Sequence, residues 1–185
     1  GGPQGGAHLM VYGQGPVTGA VFTWSWDSSG GLAVPEFPVG TEAVFWVSDG
    51  RGCLVSQIEA LRDWLAQHPE CALARVLSVV DCVRAFQNQA ALVWYQAAVH
   101  FSDCVFLIQS AQVPAKWLSQ FQASFQPCPC LFVRLDSKGT IPRKAEVLDP
   151  LPLRLIQVFD EVDPENPVPE DFYLAKDRDG LRRHP

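Results

Sequence analysis

The spacing of apolar residues changes character near residue 41 of this 185-residue chain. Before that point a short apolar run at 8–12 is followed by Gly13-Gln14-Gly15-Pro16, residue types that favour a turn. Residues 19–26 then alternate, with Phe22, Trp24 and Trp26 on one face and Val21, Thr23 and Ser25 on the other. Such alternation marks a strand with two unlike faces, so 8–26 reads as a β-hairpin. Its aromatic face is either packed into a core or left open as an interaction patch. Ser28, Ser29, Gly30, Gly31, Pro35, Pro38 and Gly40 punctuate 27–41, which reads as a linker.

Beyond the linker, apolar runs alternate with helical spacing. Residues 42–48 form a continuous apolar run, as a strand buried on both faces should. Leu54, Ile58, Leu61 and Leu65 fall on one helical face, with Gln57, Arg62, Asp63 and Gln67 turned to water, and Pro69 ends that helix near His68. A strand over 72–80, ending at Asp81, precedes a helix over 85–99. Residues 103–109 are a third strand, 114–125 a short helix carrying Trp117, Phe121 and Phe125 on one face, and 129–135 a fourth strand. After a turn over 137–142, a last short strand and helix are expected within 153–162.

Strands alternating with helices over short connections specify a parallel sheet with helices on both faces. Right-handed crossovers make a doubly wound, flavodoxin-like α/β layer the expected topology. The expected organisation has three parts: a leader, hairpin and Gly/Pro-rich linker over 1–41, an α/β domain over 42–162, and an acidic Pro-rich spacer with a charged tail over 163–185. In that last part Phe172-Tyr173-Leu174 could dock on the domain, while 176–185 reads as a solvated, disordered end.

Composition narrows the function classes. A hydrophobic fraction of 48% with 18% charged residues belongs to a globular chain, not a disordered one. A net charge of −6, without clustered Lys and Arg, lacks the electrostatic footprint of a nucleic-acid binder. No apolar run approaches the roughly 20 residues that span a bilayer. The Gly-rich start has neither a basic nor an apolar region of signal-peptide type, so a membrane link would come through a segment absent from this chain. The six cysteines, at 53, 71, 82, 104, 128 and 130, read as reduced thiols, since a chain this long can bury its own core. Cys128-Pro129-Cys130 has no second ligand pair for a metal and reads as a strand entry.

Motifs for catalysis and cofactors are weak. No Gly-x-x-x-x-Gly-Lys-[Ser/Thr] loop is present, and Gly13-Gln14-Gly15 lacks the strand–helix setting of a dinucleotide site. His100, Ser102 and Asp103 have the residue types of a triad, but neighbours entering a strand point in alternating directions, so Ser102 or Asp103 is expected to cap structure instead. Asp49, Asp81 and Ser110 are expected at C-terminal strand ends, where open α/β sheets bind ligands. The expectation is therefore no catalytic residue, no cofactor and no metal.

The order of elements resembles the SEFIR domain, a relative of TIR domains found in interleukin-17 receptors and their cytosolic adaptor. The likeness is carried by Val44-Phe45-Trp46-Val47-Ser48-Asp49, by the helix ending Leu61-Arg62-Asp63-Trp64-Leu65, and by the strand capped by Asp81. Val93-Trp94-Tyr95, the run Ser102 to Ser110, and Leu131–Leu135 followed by Gly139-Thr140-Ile141-Pro142 complete it. Cys82-Val83-Arg84-Ala85-Phe86-Gln87 replaces the family's acidic, Trp-containing segment, which marks a divergent or decoy member. Some TIR domains cleave NAD with a Glu on the helix after the second strand, whereas 82–102 holds no Asp or Glu.

The resemblance implies a cytoplasmic signalling domain whose partner is another protein, including a SEFIR/TIR-like domain or a second copy of itself. Its contact surface is expected on the 114–125 helix and the 84–89 segment. Arg84, Gln87, Lys116, Trp117 and Gln120 are the candidate contacts, with core packing as the competing role for Trp117. Two other readings stay open: a small-molecule or nucleotide-handling enzyme on a flavodoxin-like scaffold, and a scaffold subunit docking through the aromatic hairpin.

Overall fold

A computed structural model describes residues 8–13, 19–125, 130–136, 138–154, 156, 158–159 and 171–183, with the backbone alone at 8 and 11–13. The chain divides into two compact units, Gly1–Cys71 and Ala72–Pro185. The boundary falls inside the 42–162 segment.

In the first unit, β1 (His8–Gly13) pairs antiparallel with both β2 (Ala20–Thr23) and β5 (Thr41–Val47), giving the order β2-β1-β5. The hairpin is therefore present, while its expected turn over 14–18 lies outside the described residues. The 42–48 run departs from expectation. It pairs antiparallel with β1, not within a parallel sheet, and its residues are half-buried or exposed. An apolar run cannot by itself distinguish a strand buried on two faces from one half-covered beside a hairpin. Trp24 is buried, 5.2 Å from Trp46 and 5.7 Å from Trp26, and its Nε1 donates to Val47 O at 3.0 Å.

The 27–41 linker is partly ordered. Asp27 Oδ1 accepts Ser29 N, Ser29 Oγ and Gly31 N, and this turn joins β3 (Ser25–Trp26) to β4 (Leu32–Ala33). Those donors, led by the Ser29 hydroxyl, hold the Asp27 carboxyl below its ordinary value. Helix α1 (Leu54–Gln67) follows, as its spacing predicts. Gln57 corrects the expected polar face, because it is fully buried. Its Oε1 accepts Asp49 N at 2.8 Å and its Nε2 donates to Asp49 O at 2.9 Å. A primary amide can satisfy both groups of one peptide unit, so burial here leaves no polar atom unpaired.

The second unit contains a three-stranded parallel sheet in the order β6-β7-β8: β6 (Leu77–Asp81), β7 (Cys104–Ile108) and β8 (Leu131–Arg134). Alternation in β7 separates two cores. Val105 and Leu107 join Val80, Leu118 and Phe121 on one face, and Cys104 and Phe106 join Val133 and Val147 on the other. The expected helix over 85–99 is two helices, α2 (Cys82–Gln87) and α3 (Gln89–His100). Asn88 separates them with an extended backbone, and its side chain accepts Ala91 N at 3.0 Å. Asparagine competes for backbone N–H groups and so starts a new helix inside an unbroken apolar pattern.

Asp81 caps α2 by accepting Arg84 N at 3.0 Å, which moves the helix start three residues ahead of expectation. Helix α4 (Ala115–Ala123) begins after Pro114. A one-turn helix, α5 (Lys144–Val147), was not expected; it places Val147 on the second core. The described residues of 153–162 show neither the strand nor the helix expected there.

Asp103 is fully buried where β7 begins. Its carboxylate accepts Val76 N (2.7 Å), Leu153 N (2.7 Å) and Arg154 N (3.1 Å), and Arg154 Nη1 lies 3.0 Å from Oδ2. Arg75 Nη1 stands 3.9 Å away. Buried thiols sit nearby in the sheet core: burial pushes Cys104 up to about 11, with Arg75 opposing the shift.

The end expected to be solvated and disordered is solvent-exposed over most of 176–183 but is ordered there. Leu174 and Ala175 are buried, Lys176 bridges to Arg182, and Asp177 Oδ1 accepts Asp179 N and Leu181 N. Tyr173 lies 4.8 Å from His100 and 5.8 Å from Phe101, so the expected docking of 172–174 is present.

Asp103→Asn removes a buried charge around which the amides of Val76, Leu153 and Arg154 and the Arg154 guanidinium are arranged. The expected loss is about 3–5 kcal/mol, read from the urea midpoint, whereas Asp136→Asn at an exposed turn should move that midpoint far less. Asp171 gives a second prediction. Burial opposes its charged form, but the His100 hydrogen bond and charge and the amides of Tyr173 and Leu174 outweigh it, so its pKa is lowered. A carboxyl lowered on folding stabilises above its unfolded pKa, near ~4. That stability disappears as pH falls through the lower, folded value. Amide exchange at Ala175 and Arg183 should therefore stay slow at mildly acidic pH and quicken only once Asp171 protonates.

Candidate functional site

The five expected contact residues divide between two helices. Arg84 and Gln87 are exposed on α2; Lys116 and Gln120 are exposed one turn apart on α4. Trp117 is half-buried between them and the core. The two helices meet through Phe86, whose ring stands 5.5 Å from Trp117 in an edge contact. Phe86 is 47% exposed, comparable with Phe45 and Phe172 elsewhere in the chain. Sequence reasoning did not single it out. The available signal was its place between Arg84 and Gln87 in a mostly polar stretch, where a large apolar side chain stands out.

Behind the surface pair runs an aromatic series. Trp117 stacks on Phe121 at 5.4 Å, Phe121 meets Phe125 at 5.2 Å, and Phe125 lies 6.2 Å from Phe132 on β8. Trp117 packs on the core, the competing role, and its ring also meets the exposed Phe86. Aromatic pairs at such distances contribute about 0.5–1.5 kcal/mol beyond their buried area, so α4 is held firmly under the surface it presents.

Charge around this face is one-sided. From Cys82 to Leu135 Asp103 is the sole acidic residue, in a chain holding 20, and it is buried against Arg154. Arg84, Lys116 and Arg134 are exposed over the same stretch. Arg134 acts on Cys82, whose thiol burial pushes up to about 11, with Asp81 adding to the shift and Arg134 opposing it. The register sets Arg134 opposite Leu107 and Leu107 opposite Val80, two residues before α2 begins. Asp81 and Asp136 flank the face, but Asp81 caps α2, and Asp136 closes its own turn by accepting Lys138 N and Thr140 N.

The residues of triad type do not assemble one. His100 Nε2 donates to Asp171 Oδ2 at 2.7 Å, not to Asp103. Ser102 Oγ lies 2.6 Å from both Ser78 Oγ and Ala98 O, and Asp103 is occupied by backbone amides and Arg154. The strand-end residues are likewise engaged: Asp81 is a cap, and Asp49 accepts Arg51 N. Ser110 opens a short 3-10 turn after Gln109, which adopts a left-handed φ of 54°. Helices α2 and α3, which follow β6, carry no carboxylate.

Two further features belong to the first unit. A cleft of about 170 Å³ is lined by Asp27, Leu32, Asp63, Trp64 and Gln67, below the roughly 300–1,000 Å³ of small-molecule sites. The face of its sheet opposite Trp24 exposes Met10, Val21, Phe45 and Val47, which the register places in adjacent rows. The exposed apolar face is therefore not the aromatic one picked out by sequence alternation, which holds the buried Trp24. Among the described residues no helix is long and apolar enough to cross a membrane, and no group of three His, Cys, Asp or Glu could hold a metal. No family model matches the chain, and no curated protein or solved structure matches it.

Proposed function

We propose that this chain is a protein–protein interaction domain, a divergent member of the SEFIR/TIR kind that assembles by homotypic or heterotypic contacts in signalling. On this reading it works in the cytoplasm, free or as the cytosolic part of a single-pass receptor, and is not an enzyme. The observation that carries the reading is the exposed Phe86 resting on Trp117, where α2 and α4 meet beside exposed Arg84 and Lys116. Exposed aromatic and arginine side chains over a rigid base are what binding hot spots are made of. The run β6–α2–α3–β7–α4–β8 supports the flavodoxin-like part of the proposal through its parallel pairing. The absence of a carboxylate from α2 and α3 speaks against NAD cleavage of the TIR type.

Phe86→Ala tests the surface more cleanly than a change at half-buried Trp117. In the full chain, expressed with an affinity tag in cells, this variant should lose about fivefold or more in partner recovery, the scale of a hot-spot residue. Its melting temperature should move by only a few degrees. Unchanged recovery with unchanged melting would remove this face from consideration.

A further inference from the structure

The proposed interaction face has a charge pattern that specifies its partner. Arg84, Lys116 and Arg134 have no carboxylate within ion-pair distance among the described residues, whereas Arg62, Arg143 and Arg154 each hold one. An exposed cation without an anion is common. Here Arg84 is two residues from Phe86, Lys116 adjoins Trp117, and Arg134 lies in the same segment, in a chain of net charge −6. The segment from Cys82 to Leu135 is net positive while the remainder is net negative. Its other exposed polar groups are largely amides, including Gln87, Gln89, Gln112 and Gln120.

Resting on the interaction reading above, we infer that the α2–α4 face docks an acidic segment of another protein, with an apolar side chain seated on Phe86 and Trp117. The cations supply long-range attraction and exclude basic partners, and the aromatic pair supplies the desolvated anchor. Most described carboxylates of this chain are already engaged. Asp27, Asp136, Asp149 and Asp177 close their own turns, and Asp63 and Glu146 hold Arg62 and Arg143. The acidic stretch from Asp160 to Glu170 makes a second copy the competing source of acid, which the sedimentation outcome below separates from another protein.

The probe is a library of short random peptides displayed on phage and selected on the immobilised full chain. Selected peptides are titrated while the Trp117 indole N–H signal is followed by NMR. Peptides rich in Asp and Glu beside a bulky apolar residue should be enriched and should move the Trp117 signal. Their affinity should fall about tenfold or more on the combined change Arg84→Glu, Lys116→Glu and Arg134→Glu, and should weaken with added salt. Since all three side chains are exposed, the folded state should survive, and Arg84→Ala with Lys116→Ala should give a smaller loss in the same direction.

Three outcomes overturn the inference. If peptides reach Trp117 and lose binding on Phe86→Ala, but are not acidic, the acidic partner is wrong and the interaction face stands. If no selected peptide moves Trp117, this face does not take a linear acidic segment; the co-purification of Phe86→Ala then decides the broader reading by itself. If the chain self-associates in sedimentation and the charge reversals abolish it, a second copy is the occupant.

Discussion

A buried carboxylate is tolerated only when surrounding donors replace the water it has lost, and Asp103 sets the second unit around that requirement. Its oxygens collect amides from Val76, Leu153 and Arg154 and the guanidinium of Arg154, drawing separate stretches of chain to one point. The backbone of the same residue bonds Val76 O and receives Leu131 N. All three parallel strands are thus tied together where they begin. In a parallel sheet their other ends must then lie together at the opposite side. The helices that leave those ends, α2 and α4, are brought into contact as a consequence.

That contact is where rigidity becomes surface chemistry. The aromatic series from Phe132 through Phe125, Phe121 and Trp117 joins the sheet to the surface ring of Phe86. A ring supported from below loses little freedom when a partner covers it, which lowers the entropic cost of binding. The surrounding cations act over a longer range, though salt limits them to about 8–10 Å in ordinary buffers. In the proposed interaction, anchor and attraction reside in different residue types, Phe86 and Trp117 for the first, and Arg84 and Lys116 on the same helices with Arg134 on β8 for the second.

The first unit solves the burial problem differently. Gln57, with no charge to neutralise, ties the Asp49 loop to α1 by pairing with both polar groups of that residue's backbone. Trp24 fills the covered side of the sheet and spends its one donor on Val47 O. The opposite side keeps Met10, Val21, Phe45 and Val47 in solvent, so this sheet is apolar on both faces and covered on one.

The sequence by itself determined the kinds of element and their order. Side-chain direction repeats every two residues in a strand and every 3.6 in a helix, so α1, α4, β7, β8 and the hairpin strands were legible from local spacing. The exposure of Arg84, Gln87, Lys116 and Gln120 was legible too, whereas their role as contacts belongs to the proposal. Local spacing carries no information on pairing, which is why 41–47 could be read as a strand but not assigned to β1. It is equally silent on which polar residue finds a partner, and so Gln57 was expected in water and found buried. Asn88 could have been read as a cap, but the apolar pattern on either side of it is continuous. Only the tertiary structure joined Phe86 to Trp117 and matched Asp103 to Arg154, because those contacts link residues 31 and 51 positions apart, and only folding brings them together.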